Sequence, residues 1–312
     1  MKRLVCWLMM LVLLCGVLSS CALASDLHFS EEQTLLWNGE IYRLRKRLTT
    51  ILLLGIDQPR PAAGTYRSGG QADFQMLAVI DDNRKTVSIL LLDRDTMTRI
   101  TTLGVLGHVT GSRTAQLALA HAFGDGGESS CHLAVSAVEN LFLGLPVDKY
   151  FSMTLDGVPA LNDALGGVEV TLADDLSAYD PAMLPGATLR LNGRQAGIFL
   201  RQRLGVGDQT NVSRLRRQRD YLSHAQAVLV ERLRESANFI NVLFETVAPY
   251  TVTNMARGFQ LNTANKLVTY ELLPLIQLPG IHVQGAGGFM EFYPDRDALI
   301  SCVLDTFCEP LP

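Results

Sequence analysis

Three short apolar runs restrict this chain more than anything else in it. Thr50-Ile51-Leu52-Leu53-Leu54 is continuous rather than alternating. A run of that length with no polar face reads as a strand buried on both sides. Phe74 to Ile80 and Thr86 to Leu92 are two further runs, separated by Asp81-Asp82-Asn83-Arg84-Lys85. Two apolar runs around a short polar turn predict a β-hairpin.

Charge gathers at the ends of these runs. The first strand ends at Gly55-Ile56-Asp57, and an acid just past a buried strand lies at the sheet edge, where α/β proteins place their sites. Gln58 to Gln71 is a Gly- and Pro-rich loop. Asp73 precedes the first hairpin strand and Asp93-Arg94-Asp95 follows the second, so antiparallel pairing brings Asp73 close to Arg94 and Asp95. Asp57 joins that rim if its strand lies alongside. Such a group either coordinates a divalent cation or forms salt bridges within itself.

The second informative stretch runs from Leu191 to Leu222. It holds Arg201, Arg203, Arg214, Arg216, Arg217 and Arg219, with Asp208 as the acid among them, in a chain of net charge −4. Arginine in place of lysine favours two-pronged recognition of phosphate or carboxylate. After the turn Leu191-Asn192-Gly193, Arg194 to Arg203 reads as a short helix. A long helix is expected from Arg214 to about Arg234, capped by Asn211 or Ser213. Its core face is Leu215, Leu222, Val228, Leu229 and Leu233, while Arg214, Arg217, Gln218 and Tyr221 share a second face. Arginines in a first helical turn oppose the macrodipole. An anion at the free amides of that turn would reverse the penalty. The alternative is a solvated helix face with salt bridges, and Arg216 and Arg219, on other faces, fit it.

Elsewhere, Thr114 to Gly124, Ala134 to Leu143, Ile240 to Val247, Asn265 to Leu273 and Asp295 to Phe307 read as helices, and Ile281 to Val283 as a strand. Asp174 and Asp175 are expected in a solvated loop.

The 312 residues suffice for a full core, and the net charge of −4 argues against nonspecific nucleic-acid binding. Lys2 and Arg3 precede an uncharged run from Leu4 to Ser25, the form of an export signal. Leu18-Ser19-Ser20-Cys21 suits lipidation at Cys21, Ala22-Leu23-Ala24 suits cleavage and release, and the run is long enough to remain as a transmembrane anchor. Residues 1–25 are therefore set apart, 26–47 read as a polar helical stalk, and 48–312 as one extracytoplasmic domain. Cys302 and Cys308 form a C-x5-C pair that either closes a disulfide or stays as thiols, with Cys131 apart; no spacing suggests zinc.

Seven stretches in order resemble the LytR-CpsA-Psr family of Gram-positive cell-envelope proteins. They are Ile51 to Asp57, Ala72 to Leu77, Leu92 to Thr96, Ala120 to Gly124, Asp163 to Val170, Leu191-Asn192-Gly193 through Arg203, and Arg214 to Gln218. The resemblance implies an α/β fold in which a central mixed, largely antiparallel sheet is sandwiched between helices, with a hydrophobic groove. It implies a phosphotransferase on the outer face of the cell membrane of a Gram-positive-type bacterium, held through Cys21 or an N-terminal helix. The implied donor is a polyprenyl-pyrophosphate-linked glycopolymer, such as teichoic acid or capsule, and the implied acceptor is peptidoglycan. Asp57 and Asp73 match the acids near a Mg²⁺ or Mn²⁺ ion. Arg94, Asp73, Arg201 and Arg203 are the implied catalytic residues, and Arg94, Arg201, Arg203, Arg214, Arg217 and Gln218 the pyrophosphate-binding set. Asp73 or Asp95 would take the acceptor's proton.

The chain departs from the family pattern twice. Gln71-Ala72-Asp73 stands where Arg-Ser-Asp is usual, and Gln116-Leu117-Ala118 where Lys-Ile-Asn is usual. Arg67 or Arg113 is the candidate replacement for the missing cations. A polyprenyl-phosphate or wall-glycan binding lipoprotein without transfer activity, and a lipid-linked pyrophosphate hydrolase, are the alternative functions.

Overall fold

A computed structural model of the protein describes residues 27–58, 61, 62 and 64–311. The readings at Cys21 and the apolar N-terminal run lie outside the described residues.

Within residues 26–47, expected as a helical stalk, Thr34 to Leu44 instead form a β-hairpin. Strand β1 (Thr34–Trp37) turns into β2 (Glu40–Leu44) through Asn38 and Gly39, both left-handed at φ 51° and 84°. Asn-Gly takes up that mirror-image turn readily, and its twist matches the flanking strands. Leu35 is buried in the main core, which outweighs the helical charge pattern of the segment.

The central sheet follows the three apolar runs. Strands β3 (Leu48–Ile56), β4 (Ala72–Asp81) and β5 (Thr86–Leu92) pair antiparallel in the expected hairpin register, with Leu52 opposite Leu77 and Leu77 opposite Leu90. Next come β6 (Met97–Leu103) and β7 (Val109–Gln116), a separate hairpin over the segment whose C-terminal part was expected to begin a helix. Only Ala118–Ala122 is helical there (α1), followed by α2 (Glu128–Leu141). Strand β8 (Lys149–Thr154) pairs parallel with β3. Helix α3 (Val158–Leu165), strands β9 (Val168–Thr171) and β10 (Thr188–Leu191), and helices α4 (Gly193–Arg201), α5 (Asn211–Glu235) and α6 (Phe239–Val247) follow. Then come β11 (Thr251–Thr253), α7 (Arg257–Thr269), and the short strands β12 (Glu271–Leu272) and β13 (Ile276–Gln277), both parallel to β5. The chain closes with hairpin β14 (Gly280–Gln284) and β15 (Met290–Pro294), helix α8 (Arg296–Phe307) and β16 (Cys308–Pro310), which pairs with β2. Helix α7 starts eight residues before the expected Asn265, and the Glu271 to Leu273 end is strand and loop.

The sheet order is β11-β8-β3-β4-β5-β12, with β13 also on β5. Alternation along its strands feeds two layers. Leu52, Leu54, Leu77, Val79 and Leu90 face α1 and α2 in the main core. Ile51, Ile80 and Val87 face α7, and Met76 and Leu91 face Leu215 of α5. Cutting Leu52 or Leu77 back to Ala would cost about 2–5 kcal/mol, the usual loss for a buried leucine. The C-x5-C pair does not close: Cys302 lies against Thr306 Oγ1, and burial pushes the Cys308 thiol up to about 12.

Candidate functional site

The site lies where the sheet edge meets the first turn of α5. A capping box holds the start of α4: Asn192 Oδ1 accepts from the Gln195 amide at 3.0 Å, and Gln195 Oε1 accepts from the Asn192 amide at 3.2 Å. Thr210, not Asn211 or Ser213, caps α5, its hydroxyl accepting from the Val212 amide at 3.1 Å. The Asn211 side chain is thereby released for other contacts.

Asp73 is the hub, 8% exposed. Its Oδ2 accepts from Arg214 Nη1 at 2.6 Å and its Oδ1 accepts from Arg94 Nη1. Arg94 also donates to Gln71 Oε1, and its Nε lies 3.3 Å from Asp95 Oδ1. Gln116 Nε2 donates to the same Asp95 oxygen at 3.1 Å. The two glutamines at the departure positions therefore hold Arg94 and Asp95 directly. Arg67 and Arg113 both lie over the Phe123 ring, at 5.6 and 5.3 Å from its centroid.

Asp57 sits on the same rim. Its Oδ1 accepts from the Gln71 amide at 2.8 Å, and its carbonyl accepts from Arg201 Nη2 at 3.2 Å. Gly70 permits this closeness: at φ +79° an added Cβ would meet Ile56 at 2.7 Å and Asp57 Oδ1 at 3.2 Å. Arg201 also pairs with Asp156 at 2.7 Å. Arg203 is exposed, and its charge bears on Arg214.

The electrostatics follow from this crowding. Burial, and after it the Asp73 carboxylate, push the Asp57 carboxyl above its ordinary value. Burial does the same to Asp95. Burial pulls the Arg214 guanidinium below its ordinary value, the charges of Arg94 and Arg203 add to that, and Asp73 opposes it.

Arg217, grouped by helical spacing with the anion set, is turned elsewhere. It is 2% exposed and donates to Asp174 Oδ2 at 2.7 Å, to the Phe199 carbonyl at 2.9 Å and to the Gln202 carbonyl. It fixes the end of α4 at Arg201 and the Gln202 that leads on to Arg203. Asp174 is accordingly not solvated: it is 6% exposed and binds both Arg216 and Arg217. Gln218 Nε2 points to the Leu200 carbonyl at 3.4 Å.

Behind the charged rim is a cavity of about 350 Å³, walled by apolar side chains of β3, β4 and β8 and of helices α3, α5, α6 and α7. Three of its lining residues adjoin the rim in sequence or by one helical turn: Phe74 beside Asp73, Leu200 beside Arg201, and Gln218 one turn beyond Arg214. An apolar compartment thus adjoins the elements that carry the guanidinium groups.

This combination has relatives. The model of the LytR_cpsA_psr family matches residues 25–291. The chain belongs to that family. A protein of Bacillus subtilis (strain 168) named polyisoprenyl-teichoic acid–peptidoglycan teichoic acid transferase TagV is 27% identical over 272 residues, covering 84% of this chain and 64% of TagV. The transferase TagU of Enterococcus faecalis is 31% identical over 156 residues, 49% of this chain and 45% of TagU. The chain thus spans less than two thirds of the length of these relatives. Among solved structures, gbs0355 of Streptococcus agalactiae matches with a TM-score of 0.66 at 22% identity, over 83% of this chain and 86% of that one. TagT bound to LI-WTA matches at 0.63 and 21% identity, over 84% and 90%. Crystalline B. subtilis TagV matches at 0.64 and 21%, over 84% and 97%. They share the mixed α/β fold of this LytR_cpsA_psr member.

A divalent cation suits the rim of this family member. The Asp73 carboxylate adds to the cost of ionising Asp57, which a cation between them would relieve. Among the described residues no group of three or more His, Cys, Asp and Glu forms a metal cage. Two carboxylates with phosphate oxygens completing the sphere is the usual Mg²⁺ arrangement.

Several contributors carried little sequence signal. Asp156 sits in a single 3-10 turn (Leu155–Gly157) and Gln71 in a loop. His282, on a strand near the C-terminus, places Nε2 at 2.8 Å from Asp93 Oδ2, a contact spanning 189 residues. Asn211 was visible as a polar residue at a helix start, a position that reads as a cap.

Proposed function

We propose that this family member transfers a glycopolymer from a polyprenyl-pyrophosphate carrier to peptidoglycan through a phosphodiester bond, on the extracytoplasmic side of the membrane. One observation carries the reading: a 350 Å³ apolar cavity is lined by Phe74, Leu200 and Gln218, next along the chain or along the helix to a rim of arginines that runs from buried Arg214 to exposed Arg203. Few ligands need both a long dry compartment and a phosphate clamp, and a lipid pyrophosphate needs both. The relatives' names, which specify polyisoprenyl-teichoic acid and peptidoglycan, support the same reading.

In this mechanism the polyprenyl tail occupies the cavity. Arg94, Arg201, Arg203 and Arg214 receive the pyrophosphate, exchanging part of their present pairing with Asp73 and Asp156 for phosphate oxygens. Arg217 keeps Arg201 and Arg203 in register, and Gln218 joins the wall of the cavity to the clamp. A hydroxyl of peptidoglycan attacks the glycan-bearing phosphorus in line, its new P–O bond forming as the bond to the bridging oxygen breaks. Polyprenyl phosphate leaves with the bridging oxygen. Asp95 accepts the hydroxyl proton, since burial raises its basicity and one guanidinium faces it, whereas Asp73 is held by two. Mg²⁺ or Mn²⁺ at Asp57 and Asp73, when bound, neutralises charge on the phosphate oxygens. Fixed guanidinium groups supply the rest of the charge stabilisation. Among the described residues no helix is long and apolar enough to cross a membrane, and the uncharged Leu4 to Ser25 run is the proposed tether.

The test incubates the purified domain with a short lipid-pyrophosphate-sugar, Mg²⁺ and peptidoglycan. Phosphodiester-linked sugar on the peptidoglycan is the expected product. Free sugar phosphate identifies a hydrolase instead, and binding without turnover identifies a carrier-binding module.

A further inference from the structure

The hairpin β14–β15 packs behind the site through three polar contacts. The Phe292 amide donates to the Asp95 carbonyl at 2.8 Å, Gln116 Nε2 donates to the Met290 carbonyl at 2.6 Å, and His282 Nε2 lies 2.8 Å from Asp93 Oδ2. The third contact begins an unbroken chain into the arginine cluster. Asp93, 4% exposed, accepts on Oδ1 from Asn211 Nδ2 at 3.1 Å and from the Asp95 amide at 2.9 Å. Asn211 Oδ1 accepts from Arg214 Nη2 at 2.7 Å and Nε at 3.2 Å. Arg214 then donates to Asp73.

The polarity of this chain is fixed at each link. A carboxylate only accepts, so the His282 nitrogen facing Asp93 carries a proton. Asn211 must turn its NH₂ toward Asp93 and its oxygen toward the guanidinium. The flipped amide would set oxygen against carboxylate and NH₂ against guanidinium, two repulsive contacts in a buried setting. Asp93 therefore dictates the orientation of Asn211, and Asn211 fixes two of the guanidinium nitrogens of Arg214. His282 in turn holds Asp93, and it is itself held by its neighbour across the hairpin, Phe292, whose ring centroid is 4.6 Å away.

We propose that His282 is a positioning residue for the transfer reaction: acting through Asp93 and Asn211, it sets the Arg214 guanidinium where the donor's pyrophosphate binds. This rests on the transferase reading above. His282 touches no reacting atom. Its effect is one of orientation, the kind of outer contact whose loss at metal sites, where such contacts orient the ligands, costs about 10- to 100-fold.

The experiment compares His282→Ala, His282→Gln, Asn211→Ala and the His282→Ala/Asn211→Ala double variant, each in the whole extracytoplasmic chain. His282→Ala is expected to lower kcat for transfer about tenfold, with the KM for donor changing much less and the melting temperature close to wild type. His282→Gln, whose amide N–H can still donate to Asp93, is expected to recover most of the loss. The double variant is expected to be no slower than Asn211→Ala, because both changes break one chain. An unchanged kcat in His282→Ala overturns the proposal. So does an additive double variant, or a rate loss that tracks unfolding and is not recovered by Gln. A second readout needs no turnover: the arginine Nε–H resonance of Arg214 should shift and broaden in His282→Ala while that of Arg217, which donates to the Phe199 carbonyl, stays put. An unmoved Arg214 resonance overturns the proposal even if wild type proves inactive. Wild-type inactivity with a shifted resonance instead removes only the transferase reading.

Discussion

Arg214 and Asp73 meet at 2.6 Å across 141 residues of chain, both more than nine-tenths buried. A buried ion pair is expensive to desolvate and adds little stability of its own. This one gains from two neighbours, Arg94 on the other carboxylate oxygen and Asn211 on the guanidinium. On the proposed reading, an anion would take over part of this internal pairing.

The first consequence concerns Asp57. Its carboxyl is pushed above the ordinary aspartate value by burial and by Asp73, so the folded protein holds its proton more tightly than the unfolded chain does. The native state then loses stability as pH rises from the ordinary value, about 3.9, through the raised one, and the penalty is fully present above it. Asp57→Asn should therefore be more stable than wild type at pH 7, with the gap closing as pH falls through the raised value and gone below about 3.9, and yet transfer poorly. Denaturant unfolding across this pH range measures it. An Asn variant that is less stable at neutral pH counts against the assignment.

Arg203 is exposed, and its carbonyl, which any residue would supply, accepts from the Val206 amide at 3.2 Å. Arg203→Ala should leave the melting temperature unchanged while lowering the transfer rate by about a hundredfold, the usual loss when one charge-stabilising donor is removed. Initial rates beside a thermal melt check both halves.

Arg217 should behave in the opposite way. Arg217→Ala strips a buried aspartate, Asp174, of one of its two arginines and leaves the carbonyls of Phe199 and Gln202 without a donor. Breaking a buried pair costs about 3–5 kcal/mol, so unfolding in urea should reveal a large loss. Lysine, a single point donor, should not restore three directed bonds.

The cavity gives a prediction about chain length. Ala225 lines it, and Ala225→Phe should fill part of the space without touching the arginines. Donors with long polyprenyl tails should bind at least several-fold more weakly, while a short-tailed pyrophosphate keeps its affinity. Calorimetric titration with both separates tail from head group.

Strong local patterns were legible in the sequence. The runs at Thr50, Phe74 and Thr86 could hardly be anything but central strands, and the hairpin they imply brings Asp73 to Arg94 with no further information. The first turns of α5 announced themselves because four cationic or amide side chains crowd a helix start. What was not legible depended on distant partners. The segment around Leu35 carries a helical charge pattern, yet Asn38-Gly39 and pairing of β2 with β16 make it a hairpin. Arg214 and Arg217 look equivalent by spacing, and only the position of Asp174, reached through the β9–β10 loop, separates a site residue from a clamp. His282 reaches Asp93 across the whole domain and leaves no local trace.

The most direct measurement is native mass spectrometry of the purified protein titrated with a polyprenyl phosphate or pyrophosphate. The expected result is one lipid per chain for wild type, weaker retention by Arg203→Ala, and loss of preference for long tails in Ala225→Phe. Absence of bound lipid at saturating concentration, or binding indifferent to both substitutions, would contradict a site in which cavity and arginine cluster serve one amphiphilic donor.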